Sequence, residues 1–199
     1  MHKTIEFFWE PGSSYTYLAA TQVDRIARET GATVHWKPFL LGKVFEARGT
    51  KLPASVPAKA QYMFKDLARW AQQYQIPLTM PTVFPVHSLL ASRCAIAAAQ
   101  SGHEAAAAKA ILAAYWGEGQ DISQPDVLTK AFDKAGLDGA AILARSQDQA
   151  VKDLLKEHTE DALKRGVFGA PTFFVGDAMF WGNDRLNHLQ LVLQGKLRA

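Results

Sequence analysis

Gly169-Ala170-Pro171-Thr172-Phe173-Phe174-Val175 lies late in the chain, and its reading decides the fold. A small residue, a proline and a threonine open an apolar run, a setting in which a cis X–Pro bond can serve as a binding edge. The residue before such a proline turns its N–H and C=O outward, where an extended peptide can pair antiparallel to it. The stretch that must be read with it is Phe7-Phe8-Trp9-Glu10-Pro11-Gly12-Ser13-Ser14-Tyr15 near the start. There an apolar strand breaks at Pro-Gly and hydroxyl residues begin a helix.

Outward from these two stretches the chain reads as alternating elements. Lys3 to Trp9 is a strand, with Ile5, Phe7 and Trp9 alternating with Thr4, Glu6 and Phe8. Tyr15 to Thr30 carries Tyr17, Leu18, Val23, Ile26 and Ala27 at helical spacing, and Gly31 closes it. Val34, Trp36 and Phe39-Leu40-Leu41 make a second strand, parallel to the first and reached by a right-handed crossover. Gly42 to Pro57 reads as loop, Pro57 to Tyr74 as a long helix, and Ile76 to Pro85 as a proline-stiffened connector. Helices are expected at about Ser88 to Ser101, His103 to Trp116, Pro125 to Ala135 and Ala150 to Lys164. Thr172 to Val175 and Ala178 to Trp181 form a hairpin on Gly176-Asp177, and a last helix runs from Asn183-Asp184 to about Leu193. This order is the thioredoxin plan: an α/β thioredoxin fold interrupted by an all-helical insertion domain. Residues 1–41 are its N-terminal half, 42–165 the insertion and 166–199 the C-terminal half.

Composition narrows the function. The 199 residues are 48% hydrophobic and 21% charged, the balance of a soluble globular protein. The net charge of +3 is spread, without the basic cluster and spaced aromatics that a nucleic-acid surface needs. No apolar stretch approaches the ~20 residues of a membrane span. A signal-peptide pattern is absent, so the expected location is the cytoplasm. Cys94, the single cysteine, lies in an apolar helical run and reads as a buried structural thiol. The six histidines are scattered with no pair at ligand spacing, so no metal site is expected.

Redox members of the thioredoxin plan place two cysteines where the first helix begins, and here serines stand there. Dithiol exchange is thereby excluded. Ser13 is open to two readings: a plain N-cap, or a hydroxyl at a helix start whose free N–H groups and dipole favour an anion, thiolate included. Asp184, in Gly182-Asn183-Asp184-Arg185, is either an ordinary first-turn carboxylate or the acceptor of a γ-glutamyl ammonium. On that second reading the three places form a peptide-thiol site. Ser13 faces the thiolate, Ala170-Pro171 offers the edge for the backbone, and Asn183-Asp184 clamps the zwitterion.

The sequence resembles the 2-hydroxychromene-2-carboxylate isomerases and their relatives, the kappa-class glutathione transferases, over nearly its whole length. The matching stretches are Gly12 to Leu18, Pro57 to Met63 with Asp66 to Ala71, Trp116-Gly117-Glu118-Gly119, Phe168 to Thr172, and Trp181 to Leu186. The resemblance implies glutathione as cofactor, with Ser13 beside its sulfur, Ala170 on the cysteinyl backbone and Asn183 and Asp184 at the γ-glutamyl end. Lys59 would take the glycine carboxylate, although a lysine on an exposed first turn is otherwise a solvated charge. Ser14 stands where the family usually has proline, and Thr50, at a second glycine-end contact, where relatives often have asparagine. Phe39, Tyr62 and Trp116 could line an aromatic substrate pocket or belong to the core. The implied activity is isomerisation of a small aromatic carboxylate in aromatic-ring degradation, by a homodimer. A kappa-type transferase and a non-catalytic peptide-binding module are the competing functions.

Overall fold

The computed structural model describes residues 3–198. Its organising element is β1 (Lys3–Trp9), one of the two inner strands of a sheet of order β2-β1-β3-β4. β2 (Ala32–Pro38) runs parallel to β1, and β3 (Thr172–Val175) pairs antiparallel with both β1 and β4 (Ala178–Trp181). Alternation along β1 divides the core in two. Ile5, Phe7 and Trp9 belong with Ala19, Val23 and Ile26 of α1 (Ser14–Thr30), whereas Phe8 belongs with Phe39, Val44 and Ala162 on the opposite face. Fully burying one such side chain stabilises the fold by about 1.5–3 kcal/mol.

Helix α1 begins because Ser13, in extended conformation, accepts the Thr16 N–H on its side chain. It ends because Gly31, at φ +67°, takes the left-handed turn and returns its N–H to the Ala27 carbonyl. α3 (Pro57–Tyr74) has the bounds expected for it, with proline at its first position. α4 (Leu89–Ala99), α5 (Glu104–Leu112), α6 (Pro125–Lys134) and α8 (Gln149–Lys164) fall within one or two residues of expectation at most ends. The early end is at the Trp116 side: α5 stops at Leu112, and a π-helical turn over Ala113–Gly117 carries Trp116 on. The last helix splits into a 3₁₀ turn, Asn183–Arg185, and α9 (Leu186–Leu193).

Three sequence expectations are corrected. The second strand stops at Pro38 rather than Leu41: the Phe39 N–H still donates to the Trp9 carbonyl at 3.1 Å, but β1 ends at Trp9 and offers no further partner, and Leu41 opens a helix. Gly42 to Pro57 is not all loop: α2 (Leu41–Arg48) forms there and buries Val44 under Phe8 and Phe39. Gly42 sits in its first turn, where a glycine costs little, and Gly49 at φ +63° closes it. A further helix, α7 (Gly139–Arg145), is capped by the Asp138 side chain on the Ala141 N–H.

The sheet face that carries α8 also holds a half-buried ion network. Glu6 accepts from Lys37 at 2.5 Å and from Arg165 at 2.6 Å, and Lys37 reaches on to Asp161 at 3.0 Å. Burial alone would raise the Glu6 pKa, but the hydrogen bonds and charges of Lys37 and Arg165 outweigh it and hold the carboxyl below its usual value. A depressed carboxyl stabilises the fold above its unfolded pKa, and that contribution is lost as pH falls through the folded one. Stability should therefore drop as pH falls below about 4.5, the ordinary value for this carboxyl. Thermal unfolding of Glu6→Gln across this acid range should show a flatter decline than the parent protein. An unchanged slope would remove Glu6 from the acid limb.

Candidate active site

The site is assembled where β1 hands the chain to α1. Glu10-Pro11-Gly12-Ser13 makes the bend, with the Ser13 N–H donating to the Glu10 carbonyl at 3.1 Å. Glu10 is buried behind this bend, and burial pushes its carboxyl pKa up against hydrogen bonds from the Ser88 hydroxyl and the Gly12 N–H. A Cβ on Gly12 would stand 3.1 Å from the Glu10 carboxylate, so the bend is closed tightly over that group. From the helical side, the Trp116 indole N–H donates to the Pro11 carbonyl at 3.0 Å and fixes the bend from above.

Antiparallel pairing of β3 with β1 brings the cis Ala170-Pro171 pair to the same place. The Ser13 hydroxyl donates to the Ala170 carbonyl at 3.0 Å while its oxygen accepts the Thr16 N–H at 3.2 Å. Both hydrogen-bonding roles of Ser13 are thus engaged. The Ala170 N–H has no acceptor among the described residues. One edge donor is free and one edge acceptor is held by a hydroxyl that can rotate away.

The Gly182 N–H donates to the Pro171 carbonyl at 2.9 Å, which ties the end of β4 to the proline and sets the Asn183–Arg185 turn beside the edge. Gly182 adopts φ +102°, a conformation side chains rarely enter, and a Cβ there would meet the Asp184 carboxylate at 2.4 Å, a contact no Cβ tolerates. Asn183 is buried beside the Tyr74 hydroxyl, yet its Nδ2 has no acceptor within hydrogen-bond geometry. Asp184 is exposed and pairs with neighbouring Arg185 at 2.8 Å.

Ser13, Ala170, Pro171, Asn183 and Asp184 are therefore one neighbourhood. A pair that the sequence reading missed joins them: the Tyr15 hydroxyl donates to Asp66 at 2.9 Å. Burial and that carboxylate push the Tyr15 pKa far up, with Tyr62 and Asp184 adding to the shift, so all four residues share one electrostatic environment. Both Tyr15 and Asp66 lay inside the matched stretches, and their separation of 51 positions concealed the contact.

The other residues are placed differently. Thr50 and Lys59 are exposed, near the C-terminal end of α2 and in the first turn of α3. Phe39 is fully buried in edge contact with Phe8, and Trp116 is 1% exposed against Phe84 and Tyr115. Tyr62 is 61% exposed. The three aromatics thus do not meet as one lining. Cys94 is fully buried in α4, and burial pushes its thiol up to about 11, so it takes no part.

With this geometry in hand, comparison with known proteins places the chain. Residues 4–194 match the model of the DSBA-like thioredoxin domain. A 2-hydroxychromene-2-carboxylate isomerase from Sphingobium xenophagum is 35% identical over 97% of this chain and 99% of its own. Human glutathione S-transferase kappa 1 is 28% identical over 98% of this chain and 92% of its own. Among solved structures, that of a 2-hydroxychromene-2-carboxylate isomerase superposes with a TM-score of 0.81 at 31% identity, covering 96% of this chain and 95% of the other. The chain belongs to the DSBA-like thioredoxin family and, within it, to the family of the 2-hydroxychromene-2-carboxylate isomerases.

The 182–184 turn supplies a test of the site's construction. Gly182→Ala should destabilise the fold by about 1–3 kcal/mol through the strained backbone alone, and should displace the Asp184 carboxylate. Chemical denaturation measures the first effect. A change in the chemical shifts of the Asp184 and Arg185 backbone amides, whose side chains pair at 2.8 Å in the parent, measures the second.

Proposed function

We propose that this protein interconverts 2-hydroxychromene-2-carboxylate and trans-o-hydroxybenzylidenepyruvate with glutathione as cofactor. The observation that carries the reading is the Ser13 hydroxyl, set at a helix start and held 3.0 Å from the Ala170 carbonyl where a redox relative would hold a thiol. Full-length similarity to named isomerases supports it.

The donor set fits glutathione. The free Ala170 N–H and its carbonyl suit the cysteinyl backbone, and the buried, unpaired Asn183 Nδ2 suits the γ-glutamyl end. Asp184 would receive the ammonium; being exposed and already paired, it contributes on the order of 1 kcal/mol. Lys59 and Thr50 would serve the glycine end, and Tyr62 the substrate side. Bound glutathione supplies a thiolate nucleophile that is recovered unchanged.

The chain's own part follows from Ser13. A peptide N–H arriving at the Ala170 carbonyl displaces the Ser13 proton from that acceptor. The hydroxyl, still anchored through the Thr16 N–H, then rotates and donates toward the sulfur. The same contact that holds the ligand backbone thereby releases the donor that stabilises the anion. The α1 N-terminus adds its dipole. Exposed Val56 and Phe64 around α3 are consistent with a homodimer, and a lone buried cysteine with the reducing cytoplasm.

Ser13→Ala should lower turnover by about 10²–10³-fold, the usual effect of losing one donor to a developing anion. Glutathione affinity should change far less, and calorimetric titration alongside the chromene assay separates the two. A mutant with full turnover leaves Ser13 an N-cap.

The kappa-type reading is favoured by the same site and by relatives such as the human enzyme. Thiol titration during the absorbance change decides between them. As an isomerase, the protein should convert a large excess of chromene with catalytic glutathione and leave free thiol constant. Stoichiometric thiol loss would sink the isomerase reading.

A further inference from the structure

On the sheet face away from α1, α2, α8 and the start of α4 enclose a groove of about 400 Å³ that shares no residue with the Ser13 neighbourhood. Its apolar wall is Leu40, Leu89, Leu155 and Leu163. The Leu40 side is fixed, because its N–H donates to the buried Thr159 hydroxyl at 3.1 Å. Four cations reach the groove, and they are not equivalent. Lys43 is paired with Glu46 at 2.8 Å and Lys156 with Glu160 at 3.6 Å. Arg93 and Lys152 have no carboxylate partner among the described residues. Arg93 is half-buried, and its Nε is sealed from water with no acceptor.

A half-buried guanidinium without an internal counter-charge is uncommon, since burying a charge is costly unless it is paired. Here the unpaired charges sit at the edge of a leucine surface. We propose that this groove binds a small amphipathic carboxylate, its ring or branched chain laid on the leucines and its carboxylate taken by Arg93 and Lys152. The volume lies within the range of small-molecule pockets, about 300–1,000 Å³. A phosphate dianion would leave the leucines uncovered. A neutral hydrocarbon would leave Arg93 unpaired. A planar carboxylate satisfies both demands, and guanidinium binds it with two parallel N–H donors.

The proposal does not depend on what the Ser13 site does, and its test reads binding rather than turnover. The probe is 1-naphthoate, with 1-naphthamide as the uncharged isostere, titrated into ¹⁵N-labelled full-length protein. Saturable amide shifts are expected at Leu40, Arg93 and Leu155, with naphthamide about tenfold weaker or more, the ratio for one charge-assisted contact of about 1.4 kcal/mol. Saturating glutathione should leave this titration unchanged. Arg93→Gln should cost naphthoate about tenfold in affinity and abolish its advantage over the amide. Lys152→Gln, at a half-buried position whose side chain makes no hydrogen bond or ion pair among the described residues, should give a smaller loss of the same kind. Shifts confined to Ser13, Ala170 and Asp184 would overturn the proposal by placing the probe in the active site alone. Equal affinities for acid and amide, or Lys152→Gln and Arg93→Gln variants that bind naphthoate like the parent, would overturn it equally.

Discussion

The antiparallel pairing of β1 with β3 is the constraint on which the site depends. Phe7 opposite Phe173 and Phe8 opposite Thr172 fix a register that a shift of one residue would destroy, because it would turn every buried ring to the wrong face. Phe7 stacks on Phe173 at 4.5 Å between centroids, and Phe8 meets Phe174 edge-on at 5.7 Å, so both faces of the pair are locked by aromatic contacts. This register sets Pro171 against the end of β1 and lets two atoms 157 positions apart, Ser13 Oγ and Ala170 O, share a hydrogen bond. Neither half of the fold contains the site by itself.

The helical segment between the halves is bound to the same place. Trp116 reaches the Pro11 carbonyl only because the π-helical turn redirects the chain after α5. The connector after α3 is stitched to that turn: Thr79 bonds both Trp116 and Gly117, Tyr17 holds Pro77, and Tyr115 holds Val83. A stretch of prolines without regular structure is thereby held by side chains of α1 and the turn. Ser88 continues the link to the buried Glu10. The bend carrying Ser13 is thus fixed on one side by the sheet and on the other by the helices.

The sequence was most legible where local chemistry and burial agree. Pro57 at the start of α3, Gly31 after α1 and Gly176-Asp177 in the hairpin each belong to elements that formed as expected, because each residue's conformational demand is met by its own neighbours. α2 escaped because its helix rests on one buried contact, Val44 beneath Phe8 and Phe39, which no local pattern announces. α7 escaped because it is short and follows a cap seven residues before its end. Of the candidate site, Ser13, Ala170 and Asp184 were legible only by their order along the chain, since each alone reads equally as a cap, a turn or a first-turn carboxylate. Tyr15–Asp66 and the Glu10 carboxyl behind the bend were not, since their meaning lies in contacts between distant positions or in burial.

The replacement of a dithiol by serine changes where the chemistry's acidity resides. A redox protein tunes its own cysteine through the helix dipole, so the protein titrates. Here the Ser13 hydroxyl stands at the helix start in place of a thiol, and Tyr15 is pushed away from neutrality by burial and Asp66. The acid that burial moves toward neutrality is Glu10, and it lies behind the bend with its oxygens engaged by Ser88 and Gly12. A serine hydroxyl does not ionise in the neutral range, so its hydrogen bonds to Ala170 and Thr16 are not switched by its own titration. On the proposed function, the proton whose loss controls the site belongs to the thiol, and the fold's task is to keep the Ser13 hydroxyl fixed while that proton leaves.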